Sequence, residues 1–275
     1  MSDLSIEWNN SALTTLQQCG EKFRRRYIEK ERAPSSPRAL RGTVVHAVAR
    51  RGYKRKLETD ALPTVEETRD TAATEFDATW RGGVVLSAEE VGRGVATVEA
   101  ESKDFAVDLS AYHVQTVAPA VHPIGVERKI TVKPKNSDLV IHGTIDLIDQ
   151  TAVGEVIRDL KTTEKSPNAR AADESQQLSM YALIRQAEVG RLPKKLTLDF
   201  LVRTPVKKKM KHVPLDTTRD AEDVRTMVSR INTAVEAVKR GIFVPTNPES
   251  WWCSAQFCDY FNTCPYTRRS ERPKN

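Results

Sequence analysis

Gly143-Thr144-Ile145-Asp146, followed shortly by Arg158-Asp159-Leu160-Lys161, is the stretch on which the reading of this chain turns. Both tetrapeptides sit among apolar residues: Leu139, Val140 and Ile141 before the first, Val156 and Ile157 before the second. Short apolar runs bounded by turn residues predict strands over 125–132, 139–148 and 153–161. The turns between them are predicted at Pro134-Lys135-Asn136-Ser137 and Asp149-Gln150. A turn as short as Asp149-Gln150 makes the second and third strands antiparallel neighbours, which brings Asp146 toward Asp159. Asp159 and Lys161 are alternate residues, so on a strand they share one face.

Two carboxylates and an ammonium on adjoining strands meet the needs of phosphodiester hydrolysis. That chemistry uses a hard, oxygen-bound cation to activate water and to neutralise the phosphate oxygens, and a nearby ammonium to orient the water. The acid-x-Lys spacing alone says little, because Glu101-Ser102-Lys103 and Glu127-Arg128-Lys129 share it. Glu101 lies in a polar helical stretch, whereas Asp159 and Lys161 end an apolar strand. The spacing also suits two carboxylates at turns and a surface lysine, so the decision rests on residues elsewhere.

Outward from the strands, helices are predicted over 11–30 with Ser11 as cap, 38–56, 64–80 and 87–112 on the N-terminal side, and over 173–189 and 221–240 on the other. Further strands are predicted over 196–202 and 210–213, and 245–275 reads as an irregular, aromatic-rich tail. The expected fold is mixed α/β: a central mixed sheet flanked by helices, with a helical N-terminal half and a cysteine-bearing C-terminal tail. His46 stands mid-helix with Gly42 one turn earlier on the same face, open to a close backbone approach. Gln177 and Tyr181 share a helix face just after the strand that carries Lys161.

The chain has 275 residues, 39% hydrophobic and 29% charged, and net charge +6. This composition predicts a soluble globular protein and excludes a membrane span. The opening MSDLSIEWNN has no secretory pattern, so a cytoplasmic location is expected. Positive charge gathers in Lys22/Arg24/Arg25/Arg26, Arg50/Arg51/Lys54/Arg55/Lys56 and Lys207/Lys208/Lys209/Lys211; three such clusters favour a phosphate-tracking surface. Of the four cysteines, Cys253, Cys258 and Cys264 crowd into the tail and Cys19 lies far upstream. In a reducing compartment this favours a metal or cluster site, and thiolates suit iron–sulfur and zinc alike. Trp251, Trp252, Phe257 and Tyr260 either stack bases or form a local core around those cysteines. No Gly-x-x-x-x-Gly-Lys-Ser/Thr motif is present, so any helicase would be a separate partner.

The order His46, Gly143-x-x-Asp146, Asp159-x-Lys161, Gln177-x-x-x-Tyr181 resembles the RecB-like branch of the PD-(D/E)XK nucleases. So does the opening from Ser11 to Cys19 with Phe23 and Tyr27. The closest likeness is to stand-alone phage-type exonucleases related to the CRISPR-adaptation nuclease and to AddB. The resemblance implies a restriction-endonuclease-like fold and one nuclease domain over 1–270, with a helical part at 11–112, the catalytic sheet and helix at 122–215, a helix at 218–240 and the cysteine tail at 245–264. It implies Mg²⁺ or Mn²⁺ on Asp146 and Asp159, with His46 and the Leu160 carbonyl as further ligands. Lys161 would position the attacking water, and Gln177 and Tyr181 would orient the lysine or the DNA backbone. It further implies a 4Fe–4S cluster on Cys19, Cys253, Cys258 and Cys264, with Zn²⁺ as the alternative. Four residues separate Cys253 from Cys258 where the family pattern has two. The implied activity is a DNA exonuclease of recombination, repair or phage replication; the alternatives are a structure-specific endonuclease and an inactive nucleic-acid-binding module.

Overall fold

The computed structural model describes residues 6–32, 34–134, 139–255 and 257–267. Helices α1 (Asn10–Gln18), α2 (Gly20–Phe23), α3 (Pro37–Thr59), α4 (Val65–Arg81), α5 (Ala88–Arg93) and α6 (Val95–Thr116) precede the sheet. Strands β1 (Pro123–Val132), β2 (Ile141–Thr151) and β3 (Gly154–Thr163) follow, then α7 (Gln176–Val189), β4 (Lys195–Arg203), β5 (Met210–Thr217) and α8 (Ala221–Lys239). The five strands form one sheet in the order β1-β2-β3-β4-β5. All neighbours are antiparallel except β3 and β4, which run parallel with α7 as the crossover. The expected mixed sheet flanked by helices is therefore the observed fold.

Helices cover both sheet faces, which explains the nearly continuous apolar character of the central strands. On one face Ile130, Ile145, Ile157 and Leu196 pack with Leu178, Met180 and Ile184 of α7 and with Met227 and Ile231 of α8. On the other, Leu201 packs with Leu40, Val44 and Val48 of α3, Phe76 of α4 and Phe105 and Leu109 of α6, and Leu160 is partly buried against them. Among the described residues no helix is long and apolar enough to cross a membrane.

Several predicted boundaries differ from the structure, most by a few residues at an element's end; those that follow have an identifiable cause. The second hairpin turns at Ala152-Val153, not Asp149-Gln150, because Thr151 pairs with Gly154. Asp149 is buried inside the ladder, where its carboxylate accepts from the His122 backbone N–H at 2.8 Å and from Arg158 Nε at 2.8 Å. Those partners satisfy a polar side chain that propensity assigns to a turn. The predicted helix 87–112 breaks at Gly94, whose φ of 90° suits glycine, and each half carries its own start. The turn expected at Lys135-Asn136-Ser137 lies outside the described residues.

The predicted helix 11–30 is also interrupted. Its cap is Asn9 rather than Ser11, and Cys19 is extended (φ −161°, ψ 111°) between α1 and α2; residues Arg24–Ile28 then form a π turn. The cause is tertiary. The C-terminal segment crosses this point, with Gly20 N–H donating to the Val244 carbonyl at 2.7 Å. A Cβ on Gly20 would lie 2.4 Å from the Phe243 carbonyl carbon. Tyr260 Oη, donating to the Glu31 carbonyl at 2.8 Å, and the Arg25 guanidinium over the Tyr260 ring hold the rest of the tail to the same segment.

Candidate active site

The β2–β3 ladder ends at Leu147–Arg158, and Asp146 and Asp159 are the next residue of each strand beyond that last pair. Asp159 is fully buried and Lys161, on the same face of β3, is about one-third exposed. Ser175 caps α7 and places Gln177 and Tyr181 over this face. Gln177 Nε2 donates to Asp159 Oδ1 at 2.7 Å and to Tyr181 Oη at 2.8 Å; its Oε1 accepts from Lys161 Nζ at 2.7 Å. Tyr181 Oη donates to Asp159 Oδ1 at 3.1 Å. Oδ1 thus accepts two hydrogen bonds. Oδ2 accepts none: Lys161 Nζ lies 2.7 Å away, an ion-pair contact outside hydrogen-bond geometry.

Asp146 has the same feature. Its Oδ2 is buried without a hydrogen bond, although His46 Nδ1 on α3 is 3.3 Å away. Buried carboxylate oxygens are normally satisfied, and two on adjoining strands that meet only cationic or imidazole nitrogen, outside hydrogen-bond geometry, fit a hard cation that prefers oxygen. Among the described residues no group of three or more His, Cys, Asp or Glu side chains gathers into a complete metal cage. Mg²⁺ is commonly held by one or two carboxylates plus water and substrate phosphate, so the pair fits that ion's habit.

Burial raises the Asp159 carboxyl above the usual range; the Lys161 charge opposes the shift and the Asp146 charge adds to it. Burial, then the charges of Asp159 and Asp146, push the Tyr181 phenol well above its usual value, so it stays a donor. Leu160, between the two charged residues of β3, turns its side chain to the opposite core. The close approach expected at Gly42 is made by a side chain: a Cβ there would meet Thr162 Oγ1 at 3.2 Å.

The structure also brings in residues the sequence reading passed over. Glu127 lies between Val126 and Arg128, which pair with Leu147 and Ile145 on either side of Asp146, and both acids line one cavity. It has φ 48°, and its carboxylate accepts from Arg50 NH1 at 2.6 Å. The acid-x-Lys pattern at Glu127 was visible; its register was not. A cavity lined by His46, Asp146 and Glu127 extends to Tyr53, His113, Arg158 and Asp199. There Arg158 bridges Asp149 (2.8 Å) and Asp199 (3.1 Å), and His212 Nε2 lies 2.6 Å from Asp199 Oδ1. Burial opposes ionisation of Asp199, but the His212 hydrogen bond and the Arg158 charge outweigh it and lower its pKa. Burial holds His113 down at about 4, a neutral ring hydrogen-bonded to Tyr53 Oη. The other acid-x-Lys pattern stays away: Glu101 pairs with Arg93, and Lys103 with Asp77.

Cys19, Cys253, Cys258 and Cys264 line one pocket together with Lys22 and Arg25. Cys19 Sγ accepts from the backbone N–H groups of Lys22 and Thr246, each at 3.5 Å. Trp251 and Trp252 stack on one another at the surface beside it, with Phe257 edge-on, whereas Tyr260 is buried.

No curated protein matches the chain. Among solved structures, the one described as "Crystal structure of SSO0001" is similar over 63% of this chain and 80% of its own length, at 16% identity and a TM-score of 0.33. The PD-(D/E)XK nuclease superfamily matches residues 7–265, a span that contains the whole sheet and both halves of the Asp159/Lys161 site. The chain therefore belongs to the PD-(D/E)XK nuclease superfamily, hydrolases that generally use Mg²⁺ or Mn²⁺.

Proposed function

We propose that this chain is a deoxyribonuclease of the RecB-like branch, acting as an exonuclease on DNA ends or single strands within one nuclease domain. The observation that carries the reading is the pair of buried carboxylate oxygens, on Asp146 and Asp159, left without hydrogen bonds beside Lys161. In this reading Asp146 and Asp159 hold Mg²⁺ or Mn²⁺, with His46 and the Leu160 carbonyl completing the protein's share. The bound ion would supply Lewis acidity toward the scissile phosphate and lower the pKa of water. Lys161 orients the attacking water with its ammonium. Gln177 fixes Lys161 through its carbonyl and Asp159 through its amide, so one side chain sets the distance between cation and carboxylate. Tyr181 holds Asp159 Oδ1, which leaves Oδ2 for the metal.

The test is digestion of end-labelled linear DNA, single- and double-stranded, beside a covalently closed circle, with Mg²⁺ or Mn²⁺. The expected result is metal-dependent loss from ends and an intact circle. A cleaved circle identifies an endonuclease on the same core. Metal-independent binding without cleavage identifies a binding module and overturns the proposal.

The cysteine pocket belongs to the same reading: Cys19, Cys253, Cys258 and Cys264 together hold a structural 4Fe–4S cluster that takes no direct part in hydrolysis. The support for it is that all four cysteines line one pocket although Cys19 and Cys253 are far apart in sequence. Anaerobically purified protein is expected to be brown and to contain iron. Stoichiometric zinc in colourless protein replaces the cluster with a zinc clamp; neither metal, with Cys19→Ser as stable as wild type, ends the idea.

A further inference from the structure

We propose that the β4–β5 hairpin, Thr204 to Lys209 with Lys211 just below it, is an arm that grips the sugar–phosphate backbone of the strand being cut. The inference rests on the DNA-nuclease reading above and names a surface which that reading does not.

Position comes first. Lys161 is in register with Phe200 on the parallel neighbour β4. Beyond Phe200 the strand runs on to Arg203, and the hairpin closes where Thr204 N–H donates to the Lys209 carbonyl at 3.0 Å. At about 3.3 Å per residue, the closing pair stands roughly 13 Å past the level of Lys161, about four phosphate spacings along a stacked strand. The arm thus leaves the sheet at the end where Lys161 stands. Lys211 Nζ donates to Ser166 Oγ at 2.8 Å, which ties the arm to the segment that follows Lys161.

Charge comes second. Pro205, Val206, Lys207, Lys208 and Lys209 are all exposed. Among the described residues Lys207 and Lys209 make no ion pair, and Lys208 reaches only Asp104 at 3.4 Å. Lys165 is exposed nearby in sequence to Ser166. Acidic groups at the base are already engaged: Asp108 with Arg203 and Arg69, Glu164 with Arg41. Lys207 and Lys209 therefore protrude with no carboxylate paired to them among the described residues, and phosphate is the complementary ligand.

Rigidity comes third. Arg203 is buried at the root, donating to Asp108 of α6 at 2.9 and 3.1 Å and lying over the Phe105 ring. Met210, which pairs with Arg203, packs on the same core. An arm anchored in this way holds its charges in place and loses less conformational entropy on binding than a mobile loop.

The test is the salt dependence of binding of a fluorescent single-stranded oligonucleotide. Lys207→Ala/Lys209→Ala/Lys211→Ala is compared with wild type and with Lys129→Ala/Lys133→Ala/Lys194→Ala, an equal charge change placed on the far edge strand β1 (Lys129), just past its end (Lys133) and before the start of β4 (Lys194). Each phosphate contact contributes about 0.7 to the slope of log affinity against log salt. The hairpin variant is expected to lose about 2 from that slope, so that between 0.05 and 0.2 M salt wild type loses roughly sixteenfold more affinity than the variant. Arginine at the three positions is expected to restore the slope. Equal slopes for the hairpin and control variants overturn the proposal while leaving a DNA-cleaving wild type, and hence the nuclease reading, intact. Wild-type protein that neither binds nor cleaves DNA overturns the nuclease reading and the arm with it.

Discussion

Asp159→Ala is expected to reduce metal-dependent cleavage about a thousandfold. The side chain offers one oxygen without a hydrogen-bond partner and holds the other on Tyr181 and Gln177, so its loss removes the proposed metal ligand and the ion-pair partner of Lys161 together. Lewis-acid stabilisation is worth several kcal/mol, and each ~1.4 kcal/mol is tenfold in rate. The fold should not suffer in proportion. Burial raises the Asp159 carboxyl above its unfolded value, so its contribution to stability is greatest below the unfolded pKa and is lost as pH rises through the folded pKa. Ionised Asp159 is thus less favourable in the fold than in the unfolded chain, by the balance of burial and Asp146 against Lys161. Asp159→Asn, which keeps the shape, should therefore melt higher than wild type in chelator at pH 7.5, and the gap should narrow as pH falls. Added Mg²⁺ or Mn²⁺ should raise the melting temperature of wild type only. An Asp159→Ala enzyme with undiminished metal-dependent cleavage would remove Asp159 from the site.

The second large effect is expected at Gly20, far from the chemistry. Its Cβ position is occupied by backbone of the C-terminal segment, with the Phe243 carbonyl carbon and the Val244 nitrogen each at 2.4 Å. No side chain can rotate away from that contact, so Gly20→Ala must move the segment or bend the start of α2. Overpacking of this kind costs about 1–3 kcal/mol, a fall of roughly 2–5 °C in melting temperature for a chain of this size. The Gly20–Val244 hydrogen bond would be lost as well, and Cys19 beside it would part from Thr246. Limited proteolysis should then cut after residue 243 at protease concentrations that leave wild type whole, and, on the proposed cluster reading, iron or zinc content should fall. A Gly20→Ala protein with wild-type melting and proteolysis would show that the tail is held elsewhere.

Much of this site was legible because it is built from local periodicities. Asp159 and Lys161 share a face because strand side chains alternate, and Gln177 and Tyr181 share one because a helix repeats every 3.6 residues. The strands were recognisable because burial on both faces demands apolar runs, and the order of these pieces resembled a known nuclease branch. Errors gathered where a local signal met a distant partner. Asp149 looked like a turn residue, yet Arg158 and the His122 amide hold it within β2. Residues 11–30 looked like one helix, yet a segment more than two hundred residues away crosses it at Gly20. Glu127 looked like the discarded twin of Glu101, yet its neighbours Val126 and Arg128 pair on either side of Asp146.

By itself the sequence determined the mixed α/β class, the strand and helix that carry Asp159, Lys161, Gln177 and Tyr181, and the pairing of one early cysteine with three late ones as a hypothesis. These follow from period, composition and order, which need no knowledge of distant contacts. Only the tertiary structure decided that Asp146 and Asp159 each keep one buried oxygen without a hydrogen bond, that Gln177 joins the lysine to the carboxylate, and that Arg158, Asp199, His113 and Tyr53 form a second buried polar group on α3, α6 and the sheet. Desolvation and hydrogen-bond satisfaction depend on every neighbour at once, and most of these neighbours are brought together by strand register and helix packing across long separations in the chain.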